Sequence, residues 1–133
     1  MIKDQIVITQ ANRTAVGSLN KSLKNIASYQ LGAKVISEII NKTKIKKEDV
    51  DEVVLGQVLT GGTGQNPARQ AAMHAGIPKE KPAYVVNQVC GSGLRSVVSA
   101  FQSIKSGDSK IILAGGQENM SLAPHAIFLR DGK

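Results

Sequence analysis

The chain has 133 residues and a formal charge of +7, with 41% apolar residues, 3% aromatics and no Trp. That length suits one domain, and its core must be built from Val, Ile, Leu, Ala and Gly, a mix suited to close-packed parallel strands and helices. A single Cys excludes an internal disulfide and a Cys-based zinc site, and no apolar run reaches membrane-spanning length.

The elements follow one another in a regular alternation. Gln5–Thr9 (QIVIT) is short, β-branched and apolar, and predicts a buried strand. A loop rich in Asn and Ser leads to a helix from about Ile26 to Lys44, with Leu31, Val35, Ile39 and Ile40 on one face. Asp51–Leu59 predicts a second strand. The loop TGGTGQ precedes a helix in NPARQAAMHAG, where Asn66 is the N-cap, Pro67 takes the first helical position and Gly76 ends it. Ala83–Val89 predicts a third strand, a third helix runs from just after Cys90 to about Lys105, and Lys110–Gly116 predicts a fourth strand. The order β-α-β-α-β-α-β specifies an α/β domain, a mainly parallel sheet with right-handed crossovers and helices on both faces. Regular patterning stops after Gly116.

Helix three sorts into two sectors at 100° per residue. Leu94, Val97, Val98, Phe101 and Ile104 form the apolar sector and are expected to pack on the sheet. Ser92, Gly93, Ser96, Ser99, Ala100 and Ser103 form a small-residue stripe, expected to receive a second helix from elsewhere in the protein or from another subunit.

Cys90 stands where the third strand ends and the third helix begins. A helix N-terminus favours the thiolate, the reactive form of a thiol, and its free N–H groups can receive an oxyanion. Gly91 and Gly93 leave room for a substrate. A lone Cys is also among the commonest small buried side chains, and on spacing alone both readings stand. The chain has two candidate bases, His74 in the last turn of helix two and His125 in the irregular tail. His74 suits a dipole partner. His125 lies beyond a strand C-terminus, where α/β sheets place their sites, and is expected near the site without being essential. TGGTGQNP lacks the GK[ST] ending of a phosphate loop. The Lys-rich NKTKIKK reads as a solvated helix end, without the aromatic platforms of a nucleic-acid surface.

The segments RTAVGS, GQVLTGGTGQNPARQAA, AGIP, VNQVCGSGLRSV, SIKSGDSKIILAGGQENMS and APH, in this order, resemble the N-terminal part of the thiolase family, in its acetyl-CoA C-acetyltransferase branch. The resemblance implies that residues 1–116 are the N-terminal thiolase α/β domain, lacking its final strand, and that 117–133 begin the loop domain. It implies that Cys90 is the nucleophile that carries the acyl group as a thioester, with its backbone N–H as an oxyanion donor. The implied reaction condenses two acetyl-CoA to acetoacetyl-CoA and CoA. Coenzyme A thioesters are then substrates, with no permanently bound cofactor and no metal. The family's activating His, in a G-H-P segment, and its second Cys, in a C-x-G-G-G segment, have no counterpart in this chain. The chain alone is therefore expected to be inactive, with a missing C-terminal half as its partner and a homodimer or homotetramer as the complete enzyme. A degradative 3-ketoacyl-CoA thiolase and a non-catalytic half-fold association module are the alternatives. A cytoplasmic location is expected, without nucleic-acid or membrane partners, since no leader-like segment opens the chain.

Overall fold

The computed structural model describes residues 5–130. Three strands form one parallel sheet: β1 Glu52–Gly56, β2 Ala83–Val86 and β3 Ile112–Gly116, in the spatial order β2-β1-β3. Val54 lies opposite Tyr84 on one side and Ala114 on the other. The helices are α1 Ser28–Thr43, α2 Pro67–His74 and α3 Ser92–Ser106. The α/β class and the helix layers on both faces agree with the sequence reading.

The two faces of the sheet are filled differently. Val53, Leu55 and Leu113 point toward α1 and α2 and join Ala33, Ile36, Ile40, Ala68, Ala71, Ala72 and Ile77 in the main core. Val50 and Val53 are fully buried there, each worth about 1.5–3 kcal/mol relative to exposure. Asn66 caps α2 as expected: its Oδ1 accepts from the Arg69 N–H at 3.1 Å, with Pro67 at the first helical position. The opposite face carries Val54 and Gly56 and receives α3. There a Cβ at Gly56 would collide with the backbone of Ser92 and Gly93, and a Cβ at Gly116 would come within 3.2 Å of the Gly93 Cα. The helix backbone rests directly on these glycines.

This close approach overturns the expected orientation of α3. The small-residue stripe faces the sheet: Ser92, Ser96 and Ala100 are buried. Leu94 is 72% exposed, and Val98 and Phe101 also face outward. The reason is distance. Gly56 and Gly116 carry no side chain beneath the start of α3, so only small residues fit between helix and sheet there. The polar cost is met locally, because the Ser96 hydroxyl lies 2.6 Å from the Gly93 carbonyl and 2.7 Å from the Gly115 carbonyl. The expectation that a second helix docks on this stripe therefore fails; the stripe is already occupied by the chain's own sheet.

The expected first strand also fails. Gln5–Thr9 pairs with no strand among the described residues, and Val7 and Ile8 are 64% and 77% exposed. A groove of about 440 Å³ lies between the Ile8–Val16 stretch and β3, lined by Leu31 and Val35 of α1, Val97 of α3 and Leu113–Gly116 of β3. A strand exists only where a neighbour exchanges hydrogen bonds with it, and this segment makes none with the open edge of β3. The described order is thus α-β-α-β-α-β. The strands predicted at Asp51–Leu59 and Ala83–Val89 end earlier than expected, at Gly56 and Val86, because the next residues turn to make the contacts described below.

Candidate active site

Cys90 sits on the surface, in the tight turn between β2 and α3. The turn begins at Asn87 and carries an unusual residue just before the cysteine. Val89 adopts φ +50°, a left-handed conformation that a β-branched side chain resists; such a residue costs about 1–3 kcal/mol. Both ends of Val89 are held. Its N–H donates to Asn87 Oδ1 at 3.0 Å. Its carbonyl accepts from the Ser92 hydroxyl at 2.6 Å and from the Ser92 N–H at 3.1 Å. The Ser92 Oγ also accepts from the Gln88 N–H at 2.8 Å, and the Gly91 N–H donates to the Gln88 carbonyl at 3.0 Å.

These bonds orient the cysteine. The Val89 carbonyl and the Cys90 N–H belong to one planar trans peptide and point in opposite directions. With the carbonyl turned into the first turn of α3, the Cys90 N–H is directed away from the helix. Among the described residues it donates to no acceptor. Thiol and N–H thus lie on one residue at an exposed helix N-terminus, the pair needed to attack a carbonyl carbon and receive the resulting oxyanion.

The turn is tied to the ends of the neighbouring strands. Asn87 Nδ2 donates to the Val58 carbonyl, two residues beyond β1, at 3.2 Å. Val58 is held from its other side by Glu118, two residues beyond β3: the Val58 and Leu59 N–H groups donate to the two Glu118 carboxylate oxygens at 2.8 and 3.3 Å. All three strand ends are therefore linked through Val58. Beneath them lies a buried amide cluster. Gln57 Oε1 accepts from the Ser28 hydroxyl at 3.1 Å and from Gln117 Nε2 at 2.9 Å, and Gln57 Nε2 donates to the Leu59 carbonyl at 2.8 Å. The linkage lies at the C-terminal edge of a parallel sheet, the edge where open α/β sheets place their sites.

Neither histidine hydrogen-bonds to the cysteine among the described residues. His74 packs against Tyr29 of α1 with the rings tilted at 46° and their centroids 5.0 Å apart, in the helix layer on the far face of the sheet from α3. His125 is exposed, three residues beyond a short turn at Met120–Leu122, and makes no hydrogen bond to the elbow among the described residues. Asn87, Val58 and Glu118 escaped the sequence reading. An Asn that closes a strand two residues before a β-branched residue is a detectable Asx-turn signal. Glu118 gave none, since its partners lie about 60 residues away.

Comparison with known proteins fits this architecture. Residues 6–130 match the family model described as the thiolase N-terminal domain. The chain belongs to the thiolase family. It is 53% identical over 132 residues to the acetyl-CoA acetyltransferase of Rhizobium meliloti, covering 99% of this chain and 34% of that protein. It is 54% identical to the acetyl-CoA acetyltransferase of Chromobacterium violaceum, covering 96% of this chain and 33% of that one. The cytosolic acetyl-CoA acetyltransferase of Rattus norvegicus is 51% identical over 97% of this chain and 32% of its own length. The chain thus spans about a third of the length of these curated relatives. Among the described residues no helix is long and apolar enough to cross a membrane.

Proposed function

We propose that this chain is the nucleophile-bearing segment of an acetyl-CoA C-acetyltransferase, with Cys90 as the acyl-accepting residue. The observation that carries the reading is the elbow itself: an exposed cysteine whose backbone N–H is turned outward at a helix N-terminus, in a thiolase domain about half identical to acetyl-CoA acetyltransferases. The Cys90 thiolate attacks the carbonyl carbon of acetyl-CoA, and the Cys90 N–H receives the oxyanion. Collapse breaks the bond to the CoA sulfur, leaving an acetyl thioester on Cys90 and CoA. A second acetyl-CoA, deprotonated at its methyl carbon, then attacks the thioester carbonyl, releasing acetoacetyl-CoA and the free cysteine.

Two proton transfers in this scheme need groups that lie away from Cys90 here: one to activate the thiol and one to deprotonate the methyl carbon. They are assigned to sequence corresponding to the remaining two-thirds of the relatives' length, which would also complete the loop domain begun at 117–133, the CoA site and the oligomer. A cytosolic setting rests on the named location of one group of relatives. The test is a chimera in which this chain replaces the N-terminal third of the Rhizobium meliloti enzyme. It is expected to form acetoacetyl-CoA from acetyl-CoA and to lose that activity on Cys90→Ala. A fully active Cys90→Ala chimera would overturn the proposal.

A further inference from the structure

We infer that Asn87 is a positioning residue for acyl transfer at Cys90: by holding Val89 in its left-handed conformation it aims the Cys90 N–H at the acyl oxygen. The inference rests on the reading of Cys90 as acyl acceptor and adds a residue that acts only through it. The Cys90 N–H direction is set by the peptide plane that it shares with the Val89 carbonyl. That plane can turn about the bonds on either side of Val89, so it is fixed only if Val89 is fixed. Ser92 holds the carbonyl side through its hydroxyl and its N–H. Asn87 holds the N–H side, and does so from an anchored position, since its amide is also bound to the Val58 carbonyl beyond β1. Val89 is β-branched, 64% exposed and at φ +50°; its own side chain gives it no reason to stay there. Released from Asn87, it would relax toward an ordinary conformation and swing the Cys90 N–H away from the thiol's line of attack.

Cys90 is the only cysteine, so its acylation can be read as the acetyl group that neutral hydroxylamine removes from the Cys90 peptide, apart from any amine acetylation, and its alkylation by mass of the same peptide. Two reagents separate positioning from exposure. With phenyl thioacetate, the Cys90 sulfur bonds to the acyl carbon, the bond to the phenylthio sulfur breaks, and thiophenolate leaves; this step uses the oxyanion donor. With iodoacetamide, the sulfur bonds to the methylene carbon and iodide leaves; no oxyanion forms. The native chain is expected to show a higher ratio of acylation to alkylation than the same chain unfolded in guanidinium. Asn87→Ala should lower the acylation rate about tenfold, below the full loss of an oxyanion donor, while alkylation changes by less than about twofold. Glycine occupies positive φ without help, so in a Val89→Gly background the same Asn87→Ala change should cost acylation less than about threefold. A parallel fall in both rates, or an equal acylation loss in the two backgrounds, would show that Asn87 only supports the fold and would overturn the inference. An unchanged acylation rate in Asn87→Ala would overturn it too, leaving the reading of Cys90 intact. If the native chain has no acylation advantage over the unfolded one, the acyl-acceptor reading falls, and Asn87 has nothing to position.

Discussion

The two ends of the sheet use the same device for different purposes. At the N-terminal end, Asp51 precedes β1 and accepts from the Lys110 and Ile111 N–H groups, just ahead of β3, at 2.7 and 3.0 Å. At the C-terminal end, Glu118 follows β3 and accepts from the Val58 and Leu59 N–H groups, just past β1, at 2.8 and 3.3 Å. Each carboxylate clamps β1 to β3 through backbone donors. The Asp51 clamp is completed by Lys81 at 4.0 Å, a half-buried pair at a distance that makes it worth little by itself. The Glu118 clamp continues, through Val58 and Asn87, to Val89 and Cys90. A structural latch becomes part of a site when its second partner is a strained residue beside a reactive one.

The largest effect is expected at the floor beneath the C-terminal end. Gly56→Ala forces a methyl group into the backbone of Ser92 and Gly93, where no side-chain rotation gives relief. It is expected to destabilise the chain by about 3 kcal/mol, at the upper end of overpacking effects, and to lift the start of α3, as read by denaturant melts and hydrogen exchange at Ser92–Ser96. Full stability would mean that α3 does not rest on the glycines.

A finer contrast comes from removing each carboxylate. Glu118→Ala should slow thioester acylation of Cys90 by several-fold, because Val58 then anchors Asn87 less firmly; Asp51→Ala should leave that rate within about twofold, although it also loses charged hydrogen bonds of about 1.5–3 kcal/mol each before solvent screening. Equal effects on Cys90 from both variants would erase the distinction between the two ends.

The smallest effect is the pH dependence at the N-terminal end. Hydrogen bonds from the Lys110 and then the Ile111 backbone hold the Asp51 carboxyl below its ordinary value of 3.8, with the charges of Lys81 and Lys110 adding to this and burial opposing it. Its folded form therefore loses its charge at lower pH than the unfolded chain does. The latch contributes fully above 3.8, and the contribution is lost as pH falls through the lower folded value. Glu52 opposes it: burial, and then the charge of Asp108, raise its carboxyl above 4.5, which disfavours the folded state once the pH exceeds that value. The Tm difference between the wild-type chain and Asp51→Asn should thus be largest near neutrality and close as pH drops below 3.8. A difference that is constant with pH would show that the carboxylate charge contributes nothing.

Much of this was legible from local pattern. Strand and helix alternation, the Asn66–Pro67 start of α2 and the place of Cys90 at a strand-to-helix junction all follow from residues a few positions apart. The orientation of α3 was not, because its hydrophobic periodicity marks Leu94, Val98 and Phe101 as the inner face. The closeness of the sheet, set by glycines on β1 and β3 some tens of residues away, decides otherwise. Gln5–Thr9 has the composition of a strand, but strand formation depends on a neighbour and not on composition. The Glu118–Val58–Asn87 linkage joins three strand ends, and only the folded sheet brings them together.

The central claim is that Cys90 accepts the acetyl group. The direct measurement is peptide mapping of the acid-quenched chimera after brief exposure to acetyl-CoA. One acetyl group is predicted on the peptide containing Cys90, removed by hydroxylamine at neutral pH as a thioester should be. An acetyl group found only on lysine and resistant to hydroxylamine, with Cys90 unmodified while acetoacetyl-CoA accumulates, would contradict the account.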